Sequence, residues 1–109
     1  MRMWMCIPKI LCRKHLLGEH GELHKFRHSF EKQHKMSGRR GQIEPKSMKS
    51  RHDALVQEME SRGYNHNSPY EMPDISYLPD MKVNRTDALG DLLKRCPECQ
   101  QRYQQLCLR

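Results

Sequence analysis

The chain has 109 residues, a length that suits one small domain rather than two. Hydrophobic residues make up only 36% of it and charged residues 30%, which excludes a large apolar core and predicts long loops. The net charge of +7 and the pI of about 9.4 favour a polyanion as the partner, and DNA or RNA is the commonest one. A basic protein without such a partner is the plainer alternative.

The sequence shows no targeting or membrane segment. Charged residues and Pro8 interrupt the apolar opening, so it does not look like a secretory signal. No stretch approaches the ~20 apolar residues that cross a bilayer. We therefore expect a cytoplasmic protein without a membrane partner, in which the five cysteines are reduced.

The first predicted helix follows an irregular arm over residues 1–9. It runs from Ile10 to about Gln33, and its apolar residues recur at helical spacing. The stripe that they form consists of Cys12, Leu16, Leu23, Phe26 and Phe30. A basic loop that contains glycine follows from His34 to Lys46.

A second helix is predicted from about Ser47 to Arg62, where Gly63 is a normal stop. Its buried face consists of Met48, Leu55, Val56 and Met59. Residues 64–83 contain three prolines and no sustained period, which predicts an ordered but irregular connection.

The last third of the chain is predicted to form two shorter helices. One begins near Asn84 or Thr86, where a polar cap precedes the first turn. Pro97 suits the first position of the next helix, which reaches Leu106. The predicted fold is therefore all-α: a single domain over residues 1–109, built as a small bundle of three to four helices with long irregular loops.

Three polar residues of the first helix, His15, Glu19 and Glu22, fall within an arc of about 60° that borders the apolar stripe. A carboxylate at that rim is partly desolvated, which raises its pKa and suits it to proton transfer. Periodicity alone favours a plainer interpretation, a solvated face or a simple His–Glu pair.

The amino terminus offers a nucleophile for such an acid. An α-amine has a pKa of roughly 7.7–8, against about 10.4 for lysine, so a useful fraction is unprotonated at neutral pH. Placed beside a carboxylic acid such as Glu22, the amine of Met1 could form a Schiff base with a sugar aldehyde.

A separate series of histidines, His20, His24 and His28, recurs every four residues on another side of the first helix. Two histidines one turn apart can chelate a metal. No carboxylate partner is evident there and Arg27 lies among them, so a basic strip along DNA phosphates or a solvated face is the favoured interpretation.

The cysteines leave a metal site open. Cys96-Pro97-Glu98-Cys99 is half of a zinc knuckle, and Cys107 follows, but a second pair is missing in the sequence. A histidine, or Cys6 or Cys12 brought close by folding, could complete it. Redox chemistry and a pair of small apolar residues at a helix start are the alternatives, and the last is favoured. The prediction is therefore no cofactor, with structural zinc at Cys96, Cys99 and Cys107 as an open alternative.

Three collinear segments resemble the pyrimidine-dimer DNA glycosylase family, the small helical repair enzymes of bacteriophages long called endonuclease V. They cover residues 1 to about 79 and leave 80–109 as a divergent, cysteine-containing helical tail. The first segment is Arg2 with His15-Leu16, Glu19 and Glu22-Leu23. The second is Arg51, Leu55, Glu58, Arg62, Gly63, Tyr64 and Asn65. The third is Asp74-Ile75-Ser76 with Pro79.

The resemblance implies a specific chemistry. In the family, the α-amine of the first residue attacks C1′ of the damaged nucleotide and displaces the base through a Schiff base. A glutamate at the position of Glu22 assists opening of the sugar and the β-elimination that nicks the strand. Because Arg2 is bulky, we expect Met1 to be retained, and the offset from Met1 to Glu22 is then that of the family.

The resemblance also implies a monomeric, phage- or virus-encoded enzyme that acts on damaged double-stranded DNA, with a pyrimidine dimer as the default lesion. The residues expected to contact DNA are Arg2, Arg13, Lys14, His15, Lys25, Arg39 and Arg40. The chain departs from the family at Gly21 and Lys25, where the family has arginines, and at His20, which replaces an aromatic. The alternative functions are a noncatalytic nucleic-acid-binding module, stabilised by zinc, and a helical protein that binds an acidic partner.

Overall fold

The computed structural model describes residues 2–34, 38, 41–66 and 69–108. Within them lie four α-helices and no strand, so the all-α prediction is confirmed. Short 3-10 turns occur at Pro8–Ile10 and Pro45–Ser47. The helices are α1 (Arg13–Glu31), α2 (Met48–Ser61), α3 (Arg85–Arg95) and α4 (Pro97–Cys107).

The first helix begins three residues later than predicted. Ile10 closes the 3-10 turn, and Leu11 and Cys12 are extended, with ψ of 132° and 166°. Cys12 is the N-cap, and its carbonyl accepts the N–H of Leu16 at 2.8 Å. Its own N–H is turned away from the helix and donates to the Sγ of Cys99 at 3.2 Å, so a contact far along the chain sets this boundary.

The core lies between α1 and α2. All five residues of the predicted stripe on α1 are buried, and so are Met48, Leu55 and Met59 on α2. Val56, the fourth predicted residue of α2, is half-buried. Because each helix has a narrow apolar stripe, the polar residues at its edges lie close to the interface of the two helices.

The predicted helix ends are confirmed for α2, α3 and α4. After α2, Gly63 has a φ of +85°, and Tyr64 donates its N–H to the carbonyl of Met59 at 2.9 Å. This is the left-handed stop that glycine favours. Asn84 caps α3 by accepting the N–H of Asp87 at 3.0 Å, and Pro97 is the first residue of α4.

The N-terminal arm is irregular, as predicted, but its beginning is buried. Met3 donates its N–H to the carbonyl of Gln42 at 2.8 Å, and the side chains of Met3 and Trp4 lie in the core. The arm therefore has a fixed position, which holds Arg2 beside α1. No helix in the described part of the chain is both long and apolar enough to span a bilayer.

Candidate active site and metal-ligand clusters

A cleft of about 360 Å³ lies along the first half of α1. The arm supplies two of its walls and α1 supplies the rest; the lining residues are Arg2, Trp4, Lys14, His15, Gly18, Glu19 and Glu22. The structure thus brings together four of the residues that the sequence assigns to the site: Arg2, Lys14, His15 and Glu22.

Two polar atoms in this cleft, Nε of Arg2 and Oε2 of Glu22, are buried and have no hydrogen-bond partner among the described residues. The remaining contacts of these side chains are long. Nη1 of Arg2 lies 3.5 Å from Oδ2 of Asp91, and Oε1 of Glu22 lies 3.8 Å from Nζ of Lys25. A buried polar atom without a partner costs free energy, so this cleft is suited to a polar ligand.

Arg2 is held in place by stacking. Its guanidinium carbon lies 4.6 Å from the centre of the Trp4 ring, and the edge of that ring meets His15 at 5.8 Å between centroids. The side chain of Arg2 is only 12% exposed. The cleft therefore contains a cation that is fixed over an aromatic ring and a carboxylate, Glu22, whose Oε2 has no partner among the described residues.

Glu19, the third member of the predicted arc, has a different role. Its two carboxylate oxygens accept from Nε and Nη2 of Arg51 at 2.6 and 2.9 Å, and both side chains are buried. Arg51 also donates to the carbonyl of Cys6. Burial opposes the charge of Arg51, but the hydrogen bonds and the charge of Glu19 raise its pKa. This pair links α1 to α2 and leaves Glu22 as the acid without such a partner.

His15 belongs to a second feature, which we call the cysteine–histidine cluster: Cys12, His15, Cys96 and Cys99. Its four ligand atoms lie within 4.8 Å of one another. Nδ1 of His15 lies 3.2 Å from Sγ of Cys12 and 3.6 Å from Sγ of Cys99, and Sγ of Cys12 lies 3.8 Å from Sγ of Cys96. All three cysteines are free thiols.

The cluster lies at the N-termini of α1 and α4, because Cys12 and Cys96 are the N-caps of these helices. Cys99 donates its N–H to Sγ of Cys96 at 3.4 Å. Burial opposes ionisation of Cys96, but hydrogen bonds from the first turn of α4 and from neighbouring thiols lower its pKa. Burial raises the pKa of Cys99 to about 12.

A third feature, the four-histidine cluster, consists of His20, His24, His52 and His66. They come from α1, α2 and the connection after α2, and their ligand atoms also lie within 4.8 Å of one another. Every Nε2 in the cluster is buried and has no partner in the described part of the chain. Tyr70 closes one side, with its ring stacked on His52 at 4.7 Å.

Three histidines of this cluster, His20, His24 and His52, have lowered pKa values and so favour the neutral form. Burial, and then the charges of the other three imidazoles, lower the pKa of His20 to about 4. Burial is also the main cause that lowers the pKa of His24 and His52. Nδ1 of His52 lies 3.1 Å from the carboxylate of Asp53. A neutral imidazole whose second nitrogen is held by a carboxylate is the usual form of a metal-ligating histidine.

The structure corrects two expectations from the sequence. Cys107 is exposed and is not part of the cysteine–histidine cluster, which Cys12 and His15 complete instead. His20 and His24 face the core side of α1 rather than forming a solvated strip with His28, which is exposed. Their partners lie on α2 and beyond it, where the local pattern of α1 gives no sign of them.

The other residues predicted to contact DNA lie at the surface or outside the described part. Lys25 has a side chain that is 67% exposed, and Lys14 is exposed at the rim of the cleft. Arg13 is exposed and lies over Tyr64, 5.6 Å from the centre of its ring. Met1, Arg39 and Arg40 lie outside the described residues.

Three residues of the cleft and the four-histidine cluster were not predicted from the sequence. His52 and His66 are isolated histidines whose partners on α1 are 28 or more residues away, so no spacing rule connects them. Trp4 was also missed as a wall of the cleft; as the chain's only tryptophan, close to the proposed nucleophile, it offered a signal.

Comparison with known proteins identifies the family. The model of the family described as pyrimidine dimer DNA glycosylase matches residues 1–72, two thirds of the chain, and the chain belongs to that family. This makes it a DNA repair glycosylase by family, with DNA as the substrate. The match includes the cleft and the four-histidine cluster but not Cys96 and Cys99. No curated protein and no solved structure matches the chain.

Proposed function

We propose that this member of the family is a glycosylase and abasic-site lyase, with the α-amine of Met1 as nucleophile and Glu22 as the acid–base group. The observation that carries the proposal is the cleft in which Nε of Arg2 and Oε2 of Glu22 are buried without a partner. Met1 itself lies outside the described residues, but it is bonded to Arg2, whose side chain lines the cleft.

The proposed reaction proceeds by substitution at the sugar of the damaged nucleotide. The lone pair of the Met1 amine attacks C1′, and the bond from C1′ to the base breaks with its electron pair on the base, which takes up a proton. The nitrogen, which is positively charged after the attack, loses a proton to solvent, and the lone pair that this restores forms a C=N bond while the bond from C1′ to the ring oxygen breaks. That oxygen needs a proton at this moment, and a half-buried carboxyl beside it can deliver one.

The strand is nicked in the second half of the reaction. The Schiff base acidifies the hydrogen on C2′, a carboxylate removes this proton, and the 3′ phosphate leaves with the electron pair of its bond to the sugar. We assign both proton transfers to Glu22, because Glu19, the other acid lining the cleft, already accepts two hydrogen bonds from Arg51. Water then hydrolyses the imine and releases the amine.

Arg2 is the proposed ligand of the phosphate nearest the sugar. It is fixed over Trp4 and has a buried Nε with an unused donor, so it can hold an anion with little loss of side-chain entropy. The exposed cations Lys14 and Lys25 are proposed to contact phosphates further along the duplex. Reaching C1′ in a duplex requires an extruded nucleotide, at a cost of a few kcal/mol, and the charge of +7 can offset it.

The experiment that tests the proposal is borohydride trapping of the untagged protein on a duplex with one abasic site. The reductant converts the imine to a stable amine, so a covalent protein–DNA band is expected. The band should disappear when the chain is extended before Met1, because the α-amine then becomes an amide. A band of undiminished intensity in the extended protein would remove Met1 from the mechanism.

The role of Glu22 is tested by Glu22→Gln, with Glu60→Gln as the matched change at an exposed glutamate of α2. Glu22→Gln should lower strand cleavage by at least ~100-fold, in the range for loss of a general acid–base group, and should leave the salt-sensitive DNA shift unchanged. Glu60→Gln should cleave normally. Binding without any covalent band in the unmodified protein would instead support the noncatalytic binding module.

The lesion is the last part of the proposal. A duplex that contains a pyrimidine dimer should be cut by the unmodified protein under the same conditions, and an undamaged duplex should not. Cleavage of the abasic duplex alone would restrict the protein to abasic sites.

A further inference from the structure

We propose that the chain binds two zinc ions, one in the cysteine–histidine cluster and one in the four-histidine cluster. The two sites rest on different observations. The first rests on the distances between sulfur and nitrogen atoms, and the second on four buried nitrogens that have no hydrogen-bond partner among the described residues. Neither site requires the proposed lyase reaction.

The cysteine–histidine cluster has the dimensions of a tetrahedral zinc site. With Zn–S bonds of about 2.3 Å and a Zn–N bond of about 2.0–2.1 Å, the edges of the tetrahedron are about 3.8 Å between sulfurs and about 3.6 Å between sulfur and nitrogen. The structure has 3.8 Å from Cys12 to Cys96, 3.6 Å from Cys99 to His15 and 3.2 Å from Cys12 to His15. The first two distances equal the expected edges and the third is shorter than its edge by about 0.4 Å, so a small movement of the side chains would let one ion bind all four ligands.

Backbone N–H groups contact two of the sulfurs in this cluster. The N–H of Cys12 donates to Sγ of Cys99, and the N–H of Cys99 donates to Sγ of Cys96. Two helix N-termini face the sulfurs, and their partial positive charge stabilises the anions that zinc requires. Three cysteines and one histidine are a standard ligand set of closed, structural zinc sites.

Zinc at this cluster would attach the C-terminal helices to the cleft. Two ligands lie at the start of α1 and two at the start of α4, 81 or more positions apart in the chain. His15 lines the cleft and packs against Trp4, on which Arg2 is stacked. The ion would therefore fix one wall of the cleft from a segment that lies outside the family match.

The proposal of zinc at the four-histidine cluster rests on nitrogens that have no hydrogen-bond partner among the described residues. One ligand nitrogen of each histidine lies within 4.8 Å of the others, and all four Nε2 atoms are buried without a hydrogen-bond partner among the described residues. A buried nitrogen without a hydrogen-bond partner is costly, so four of them in one place favour a common ligand. A cation with four nitrogen ligands satisfies all of them at once.

The ring positions agree with tetrahedral coordination. Imidazoles bound through Nε2 at about 2.0–2.1 Å place their ring centres about 5 Å apart around the ion. The centroid distances in the cluster are 4.8 Å from His20 to His24, 5.0 Å from His20 to His52 and 5.2 Å from His52 to His66. Asp53 on Nδ1 of His52 supplies the outer carboxylate that orients a metal-bound imidazole.

The test is the metal content of the full chain without a histidine tag, measured by inductively coupled plasma mass spectrometry after growth with zinc. Two zinc ions per chain are expected. Cys99→Ser and His66→Gln should each reduce the ratio to one, and the double variant to zero. The matched controls are exposed residues outside both clusters: Cys107→Ser and His28→Gln should keep two ions.

Cobalt substitution gives a second readout, which in the unmodified protein does not depend on how any variant folds. The stripped protein reloaded with Co²⁺ should show the visible bands of tetrahedral cobalt and a thiolate charge-transfer band in the near ultraviolet. His66→Gln should keep the charge-transfer band, whereas Cys99→Ser should lose it.

Three results would overturn the proposal in whole or in part. A metal-to-protein ratio of zero in the unmodified protein would reject both sites, and a ratio of one would reject the cluster whose variant leaves it unchanged. Cobalt-loaded protein without a charge-transfer band would reject thiolate ligation even if the zinc count were two.

Discussion

The cysteine–histidine cluster and the four-histidine cluster lie on neighbouring turns of α1, but their ligand atoms are satisfied in different ways. In the first, the sulfurs contact one another and accept backbone N–H groups. In the second, no Nε2 has a partner among the described residues. Cysteine can be buried as a small apolar residue, whereas a buried imidazole nitrogen cannot remain unpaired without cost. The two clusters should therefore respond differently to removal of a metal.

The largest effect is expected from loss of the cysteine–histidine site. Cys99→Ala should lower the free energy of unfolding on the order of 5 kcal/mol or more, because structural zinc binding contributes about 10–16 kcal/mol in small peptides. Denaturant unfolding with and without a chelator measures this. The chelator should lower the free energy of unfolding most in the unmodified protein and in Cys107→Ala, and by only about 2–3 kcal/mol in Cys99→Ala, which keeps the four-histidine site. Equal effects on all three would contradict the site.

A buried ion pair between the two clusters stabilises the same helices without binding metal. Glu19 and Arg51 join α1 to α2 by two short hydrogen bonds. Arg51→Met should cost about 3–5 kcal/mol, since it leaves the buried carboxylate of Glu19 without a counterion. The zinc content should stay at two per chain. A change in metal content would mean that the pair, rather than the helix backbone, positions the ligands.

In the four-histidine cluster, the effect of His52→Phe on the free energy of unfolding should change sign when zinc is removed. In the presence of zinc, His52→Phe should cost about 2–3 kcal/mol, the stabilisation expected when free metal is about 100-fold above its dissociation constant. In the presence of a chelator the same change should be neutral or stabilising by up to about 1 kcal/mol, because it removes an unpaired buried nitrogen. His28→Phe changes an exposed position of α1, and its effect on the free energy of unfolding should be the same with zinc and with a chelator.

The local features of the chain were predictable. Gly63 ends α2, Asn84 caps α3 and Pro97 begins α4, since each of these signals depends only on residues within one turn. The apolar stripe of α1 gave the buried face for the same reason. The start of α1 was misplaced because Cys12 is extended and hydrogen-bonded to Cys99, a contact that periodicity does not contain.

The cleft could be predicted because the resemblance to the glycosylase family linked residues that are distant in the sequence. It joined Arg2 to Glu22, and the structure brings both to one cleft. The two metal-ligand clusters could not be predicted in the same way, because each combines residues from separate elements. The pair at 96 and 99 was visible as half of a site, but only the packing of α4 against the start of the chain identifies Cys12 and His15 as its partners.

The pH dependence of stability tests the hydrogen bonds of Glu44, which belongs to neither cluster. Burial opposes ionisation of Glu44, but hydrogen bonds from Ser47, Arg85 and Val83 lower its pKa below the ordinary value of 4.5. Its stabilisation is therefore present above that value and is lost as the pH falls through the lowered pKa. With a chelator present throughout, Glu44→Gln should cost about 2 kcal/mol at pH 6, and less as the pH falls to about 3. A cost that is independent of pH would contradict this assignment.

The smallest effect concerns the end of α1 and serves as a control for the whole comparison. Gln33 has a φ of +60° where Gly63, at the equivalent position after α2, has +85°. His34 donates its N–H to the carbonyl of Ser29, the same closure that Tyr64 makes on Met59. Because glycine adopts this conformation without the steric cost that a side chain imposes, Gln33→Gly should raise the free energy of unfolding by about 0.5–1 kcal/mol.

Gln33→Gly should leave zinc content and the effect of a chelator unchanged, since residue 33 lies beyond the last turn of α1 and contributes to neither cluster. The change therefore separates stability of the helix from occupancy of the sites on it. If Gln33→Gly restored metal to Cys99→Ala, metal binding would depend on the stability of α1. The distances between the ligand atoms would then not be what determines binding.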